Sequence, residues 1–132
     1  MKIEEIKYED PYLEKMYKIK ELILNNDVHN VVRAMPAVGM QEDCNNEALE
    51  LIDLCLRNEA VWIRRAGYLC LYHFYVRYRE RMCTIQAINF WRNGLTDHNE
   101  VVSSIVNDTL DEIKEFSPLI YQQIVDGNKN TF

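Results

Sequence analysis

Three tyrosines and two arginines near the middle of the chain have the residue types and the spacing of a binding surface. In sequence order they are Arg65, Tyr68, Tyr72, Tyr75 and Arg79. At about 100° per residue they share one side of a helix, opposite an apolar stripe of Ile63, Gly67, Cys70, Leu71 and Phe74. Tyrosine and arginine are enriched at protein–protein hot spots, and both also stack on nucleic-acid bases. Packing against a neighbouring helix, with the hydroxyls at the surface, is the third interpretation that the spacing leaves open.

Acidic side chains gather at two other places in the sequence. One set comprises Glu42, Asp43, Glu47, Glu50 and Asp53, and the other comprises Asp108, Asp111, Glu112 and Glu115. Each set is either a solvated helix face or a docking surface for a basic protein. When the Tyr/Arg stripe is carried forward by 39 residues it reaches Asn107 and Asp111. We therefore add these two residues to the predicted partner-binding set.

Catalytic and metal-binding patterns find little support in the sequence. It has no Gly-rich phosphate loop, no G-x-S-x-G and no H-E-x-x-H. The three histidines are isolated, the four cysteines form no C-x-x-C pair, and no histidine has metal-ligand spacing from a carboxylate cluster. We predict a protein with no enzymatic activity, no metal and no cofactor, whose thiols are reduced and structural.

Size and charge favour a single domain that recognises a basic protein. The chain has 132 residues, 48% of them hydrophobic, with a net charge of −6. Residues 58–96 nevertheless carry six arginines and only two acids, between two acidic flanks. Acidic flanks repel phosphates, so nucleic acid is the less favoured partner. No apolar run reaches the length of a membrane span and the N-terminus lacks a signal-peptide core, so we expect a cytoplasmic protein without a membrane partner.

Helical spacing dominates, and no segment alternates with the period of a strand. We predict helix pairs at about residues 10–40, 45–80 and 84–116, and a short terminal helix at about 117–126. Asp27, Thr84 and Asp97 are predicted N-caps. Pro36 is expected to kink or end the second helix, and Gly127 to stop the last one. Short connections make the paired helices antiparallel hairpins.

A shift of 39 residues superimposes two of these helix pairs. Core positions coincide with core positions, as when Ile52 falls on Trp91 and Leu71 on Leu110. The residues between the helices also coincide, because Asn58 falls on Asp97. A helical bundle has no reason to repeat caps and core at one period, whereas a stack of repeated units does.

The second helices of these pairs resemble the second helix of a HEAT repeat. That helix carries an Asp, then a Val-Arg pair five positions on, then a small residue and a Leu at four-residue steps. The run Asn58, Ile63-Arg64, Gly67, Leu71 resembles this pattern, and the run from Asp97 to Leu110 does so except at Ser103. The run beginning at Asp27 resembles only its first half. The resemblance implies an all-α, HEAT-like α-solenoid of three hairpins and a terminal helix, with second helices lining a concave binding face.

Two narrower resemblances suggest different functions. In size, charge and fold type the chain resembles bacterial immunity proteins, which neutralise basic nuclease toxins by direct binding. The segment from Glu59 to Ala66, EAVWIRRA, resembles part of the HEAT-like DNA-alkylation-repair glycosylases. We expect an acidic inhibitor of a basic, nuclease-type toxin, and keep a DNA-binding relative of those glycosylases as the alternative.

Overall fold

The chain folds into α-helices throughout the part that the structure describes. The structure is a computed structural model that describes residues 16–40, 46–78 and 84–129. Within those ranges it contains no strand and seven helices: α1 Met16–Leu24, α2 Val28–Gly39, α3 Asn46–Leu56, α4 Val61–Tyr78, α5 Thr84–Leu95, α6 Glu100–Phe116 and α7 Pro118–Lys129. The all-α prediction is confirmed. Among these helices, none has the length and apolar character needed to cross a membrane.

Side-chain caps set where the helices begin. The Asp27 carboxylate accepts a hydrogen bond from the Asn30 N–H, as predicted for the start of α2. The prediction for α6 was wrong by two residues, because its N-cap is Asn99 rather than Asp97. Asn99 Oδ1 accepts the Val101 N–H at 2.8 Å. Asp97 lies two residues earlier and accepts the Asn99 N–H at 3.0 Å.

The predicted helix end at Gly127 was wrong, and Pro36, which was expected to kink or end α2, does not end it. Helix α2 continues past Pro36 to Gly39, and α7 continues past Gly127. A proline removes one backbone donor, but Val38 and Gly39 beyond it are buried, and their packing holds the last turn in place. A glycine inside a helix costs only about 1 kcal/mol relative to alanine, which the rest of a helix can offset.

Helix α4 is the central element of the fold. It packs against α2, α3 and α6, and to a smaller extent against α5. Its buried residues therefore lie around most of its circumference: Ile63, Ala66, Gly67, Tyr68, Cys70, Leu71, Phe74, Tyr75 and Tyr78. Gly67 lets α3 come close, because a Cβ at this position would lie 2.8 Å from both Cys55 Cβ and Leu56 Cδ2.

The remaining contacts join neighbouring helix pairs. Helix α1 packs on α2 and on α3, while α4 packs on both α2 and α6. The last helix, α7, covers α5 and α6. The second helices of the three predicted pairs are thus in contact in chain order.

The turns that precede α4 and α6 share one local hydrogen bond. Asn58 and Asp97, which coincide at the 39-residue shift, make the same local hydrogen bond. Asn58 Oδ1 accepts the Ala60 N–H at 2.7 Å, just as Asp97 Oδ1 accepts the Asn99 N–H. Each side chain therefore closes the turn between the two helices of its pair.

The same two side chains connect adjacent helix pairs. Asn58 Nδ2 donates to Asn26 Oδ1 at 2.8 Å, in the preceding turn. Arg64 Nε donates to Asp97 Oδ2 at 2.9 Å, and Arg64 Nη1 donates to the Asn58 carbonyl at 2.9 Å. Burial alone favours protonated Asp97, but the hydrogen bonds from Arg64 and the Asn99 N–H outweigh it and lower the pKa of that carboxyl. A polar chain thus links all three turns.

Most of the predicted core is buried. Ile63, Leu71 and Trp91 are fully buried and Leu110 nearly so. Trp91 Nε1 donates to the buried Thr109 hydroxyl at 3.3 Å, which satisfies the indole inside the core. Val32 of α2 is 41% exposed.

Truncation of Leu71 and Leu110, which coincide at the 39-residue shift, tests whether both side chains belong to the core. We expect Leu71→Ala and Leu110→Ala each to lower the free energy of unfolding by about 2–5 kcal/mol, because each leaves a cavity among packed helices. Urea denaturation measures this. Ile85→Ala, at a strongly exposed position, is the matched control and should change it by less than about 0.5 kcal/mol. Unchanged stability in both leucine variants would contradict the core assignment.

Candidate functional site

Two of the three tyrosines predicted to face outward are inside the protein. Tyr68 is 3% exposed and Tyr75 is 2% exposed. Their predicted outward orientation was wrong because Tyr68 packs against Phe90 and Gly94 of α5, and Tyr75 packs against Trp91 of α5 and Phe116 of α6. The packing interpretation therefore holds for these two residues.

The two buried tyrosines pack their rings against neighbouring helices, and the Tyr68 hydroxyl is also hydrogen bonded. Tyr68 Oη donates to the Phe90 carbonyl at 3.3 Å. Its ring lies against Gly94, where a Cβ would be only 2.9 Å from ring atoms. Burial, together with the nearby Asp97 charge, raises the pKa of Tyr68 to about 12. The Tyr75 ring meets Trp91 edge-on, with the ring centres 5.4 Å apart.

Four other members of the predicted set lie at the surface. Arg65 and Tyr72 are half-buried on α4, while Asn107 and Asp111 are exposed on α6. Arg79, the last member, lies outside the described residues. The structure therefore brings part of the predicted set to the surface, on two helices that pack together.

Tyr72 connects the surface of α4 to the acidic side of α6. Partial burial raises the pKa of Tyr72, and the Glu112 carboxylate raises it further through its negative charge and its hydrogen bond with the hydroxyl. Glu112 belongs to an exposed group with Asp108, Asp111 and Glu115, which we call the α6 acidic face. None of these four carboxylates forms an ion pair with any residue in the described ranges.

The other predicted acidic set behaves differently where the structure describes it. Glu50 pairs with Lys20 of α1 at 3.0 Å, and Asp53 pairs with Arg57, the first residue after α3. These contacts lie on the protein's own surface and give this set a local role. Glu42 and Asp43 lie outside the described residues.

A groove between α2 and α4 is the surface feature that sequence reasoning missed. It has a volume of about 210 Å³, and its lining is largely apolar. The residues that shape its walls are Val32, Pro36, Met40, Trp62, Leu69 and His73. Trp62 is 52% exposed and Met40 is 56% exposed, so a large part of this apolar surface meets solvent. We call this feature the α2/α4 groove.

The rim and the floor of the groove differ in chemistry. At the rim, the Arg65 guanidinium carbon lies 5.8 Å from the centre of the Trp62 ring, a cation–π arrangement. At the floor is Cys70, whose burial raises the pKa of its thiol and keeps it protonated and unreactive. Gly39 lies next to Cys70, where a Cβ would be 3.4 Å from the Cys70 carbonyl oxygen, an ordinary van der Waals distance.

The sequence did contain a signal for the groove. Between Trp62 and Val76, α4 carries apolar or aromatic residues on every side, which indicates a helix with several neighbours rather than one buried stripe. Trp62, Leu69, His73 and Val76 fall on a side of α4 distinct from the core stripe and from Tyr68 and Tyr75. This second strip of α4, together with the exposed Val32 of α2, indicates the position of the groove.

Neither metal chemistry nor similarity to known proteins adds a site. Within residues 16–40, 46–78 and 84–129, no group of three or more His, Cys, Asp or Glu side chains could hold a metal ion. Comparison of the chain with protein-family models, with curated proteins and with solved structures gives no match. The features that bear on function are therefore the α2/α4 groove and the α6 acidic face.

The different positions of two tyrosines on one helix lead to a stability prediction. We expect Tyr75→Ala to lower the free energy of unfolding by about 3–5 kcal/mol, because it empties a site beside Trp91. Tyr72→Ala should cost less than about 1 kcal/mol, because its side chain lies at the surface. Urea denaturation measures both, with Tyr17→Ala on exposed α1 surface as control. Equal losses for Tyr72 and Tyr75 would contradict the assigned orientations.

Proposed function

We propose that this protein is a non-enzymatic protein-binding module that anchors its partner in the α2/α4 groove. The observation that carries the proposal is the exposed apolar lining of the groove, with Trp62 half out of the protein. Exposed apolar surface is costly in water and typically marks a place where another molecule binds. Tryptophan and arginine, which meet here as Trp62 and Arg65, are the residues most enriched at binding hot spots.

The size of the groove favours a side chain over a metabolite. Sites for small molecules usually enclose about 300–1,000 Å³. The groove encloses about 210 Å³, which is less than that range. A partner protein can fill it with one large apolar side chain, while the surrounding surfaces exclude water.

The arrangement of the helices supports a short, HEAT-like α-solenoid as the framework of this site. Helices α2, α4 and α6 are in contact in chain order, and Asn58 and Asp97 close equivalent turns before α4 and α6. In such a stack the second helices line one continuous face. The groove, Tyr72 and the α6 acidic face then form a single binding surface.

The acidic face supports a basic protein as the partner. Asp108, Asp111, Glu112 and Glu115 stand exposed on α6, next to Tyr72. A surface of one charge sign attracts a partner of the other sign and raises the rate of encounter. We propose the role of an acidic immunity protein of the cytoplasm, which blocks a basic, nuclease-type toxin by direct binding.

One observation favours the alternative of DNA binding. An exposed tryptophan beneath an arginine, as at Trp62 and Arg65, is also a platform on which a nucleic-acid base stacks. The acidic face opposes this function, because carboxylates beside the groove repel a phosphate backbone. The two functions therefore predict opposite results in a DNA-binding measurement.

Site-specific crosslinking in the cells that produce the protein tests the proposed function. Trp62→p-benzoylphenylalanine places a photocrosslinker at the groove, and Ile85→p-benzoylphenylalanine places one on exposed surface outside it. We expect a protein adduct from position 62 that is absent from position 85. When this protein and the captured partner are both purified, Trp62→Ala should weaken their binding by about 30-fold, or about 2 kcal/mol. Ile85→Ala should leave the binding unchanged.

The same purified pair tests the sign of the partner's charge. Asp111→Lys should slow association more than it speeds dissociation, because a charge at the edge of an interface acts mainly on encounter. Stopped-flow or surface-plasmon measurements separate the two rates. The proposal fails if no adduct depends on position 62, or if the captured protein binds Trp62→Ala as tightly as it binds the wild type.

Duplex DNA separates the proposed function from the alternative. We expect the dissociation constant for duplex DNA to exceed about 1 μM at physiological salt, because the acidic face and the net charge of −6 oppose counterion release. Fluorescence anisotropy of a labelled 20-base-pair duplex measures this. Sub-micromolar binding that weakens steeply with salt and is lost in Trp62→Ala would favour the DNA-binding alternative instead.

A further inference from the structure

We infer that the α2/α4 groove receives an apolar side chain that is flanked by a carboxylate in the partner, and that Arg65 binds this carboxylate. The inference rests on the proposed function and specifies the chemistry of the anchor. The anchor is the part of the partner that enters the groove. It is acidic, although the partner as a whole is basic.

The first support for this inference is the charge composition of the groove. Arg65 and His73 line it, and no aspartate or glutamate does. Two other arginines are used within the protein, since Arg64 pairs with Asp97 and Arg57 with Asp53. Among the residues that the structure describes, Arg65 has no ion-pair or hydrogen-bond partner, and its described contact is with the face of Trp62. At the edge of the α2/α4 groove, the N–H donors of Arg65 are thus available to bind a ligand.

The second support is the geometry that an arginine adopts on an aromatic ring. A guanidinium over an indole keeps its plane against the ring, and the N–H donors at its edge can bind a carboxylate in bidentate fashion. At the rim of the groove, Arg65 is half-buried, so the resulting bond is less screened by water than one on open surface. An apolar side chain in the groove and a neighbouring carboxylate on Arg65 would be held together.

The third support is the change of sign across the binding surface. The groove is cationic at Arg65, whereas the α6 acidic face carries Asp111 and Glu112 on the far side of Tyr72. A partner that is basic everywhere would meet repulsion at the groove, and a partner that is acidic everywhere would meet it at α6. The surface is positive at the groove and negative on α6. A basic protein with an acidic anchor can therefore bind it in only one orientation.

Selection from a library of phage-displayed 12-residue peptides tests the anchor without knowledge of the partner. Peptides that bind the wild type but not Trp62→Ala report on the groove. We expect them to combine a large apolar residue with Asp or Glu within about four positions. Groove-dependent peptides rich in Lys or Arg would overturn this inference and leave the proposed function standing. Absence of any peptide that depends on Trp62 would overturn both.

A charge series on one selected peptide measures the role of Arg65. By fluorescence polarisation, Arg65→Gln should weaken binding about 10-fold, and Arg65→Lys should restore part of the loss because the charge returns without the bidentate geometry. Arg77→Gln, at an exposed arginine of α4 that stacks on Tyr78 outside the groove, is the matched control and should change binding less than 2-fold. When the peptide's own Asp or Glu becomes Asn or Gln, the effect of Arg65→Gln should disappear. A persistent Arg65 effect on that neutral peptide would show that Arg65 contributes packing alone, and would contradict the inference.

Discussion

The structure depends on the burial of α4 on several sides at once. One helix can contact α2, α3 and α6 only if the backbones approach closely at selected points, and glycines provide two of those points. Gly67 admits the side chains of α3, and Gly94 admits the ring of Tyr68. A Cβ at either position would fall within about 2.9 Å of its neighbours, so these contacts set how the pairs stack. The groove follows from the same packing, because α2 and α4 line it together and leave Met40 and Trp62 partly exposed.

Polar links hold the helix pairs in register along one edge. Asn58 reaches back to the first turn and Arg64 reaches forward to Asp97, so the middle pair is tied to both neighbours. An ion pair as sheltered as Arg64–Asp97 contributes more to a unique geometry than to net stability, because desolvation offsets much of its attraction. The surface formed by α2, α4 and α6 therefore has a defined shape.

The sequence predicts the helices and the core well, because caps and apolar periodicity are local signals. Asp27 and the Ile63–Leu71 stripe were identified from spacing alone. Tyr68 and Tyr75 were misplaced because a helical wheel shows directions but not the number of neighbours. A tyrosine also suggests surface by its hydroxyl, yet Tyr68 satisfies that group on the Phe90 carbonyl, a partner 22 residues away that spacing cannot reveal. A helical wheel does not reveal the groove either, because the two walls of the groove come from different helix pairs.

The two tryptophans of the chain occupy opposite environments, and this gives the protein two separate optical reporters. Trp91 is fully buried and hydrogen bonded to Thr109, so its emission should be blue-shifted and should change only when the core opens. Trp62 is half exposed beneath Arg65, so its emission should be red-shifted and accessible to a dissolved quencher. Folding and occupancy of the groove can therefore be followed in one cuvette, at different wavelengths and without an added label.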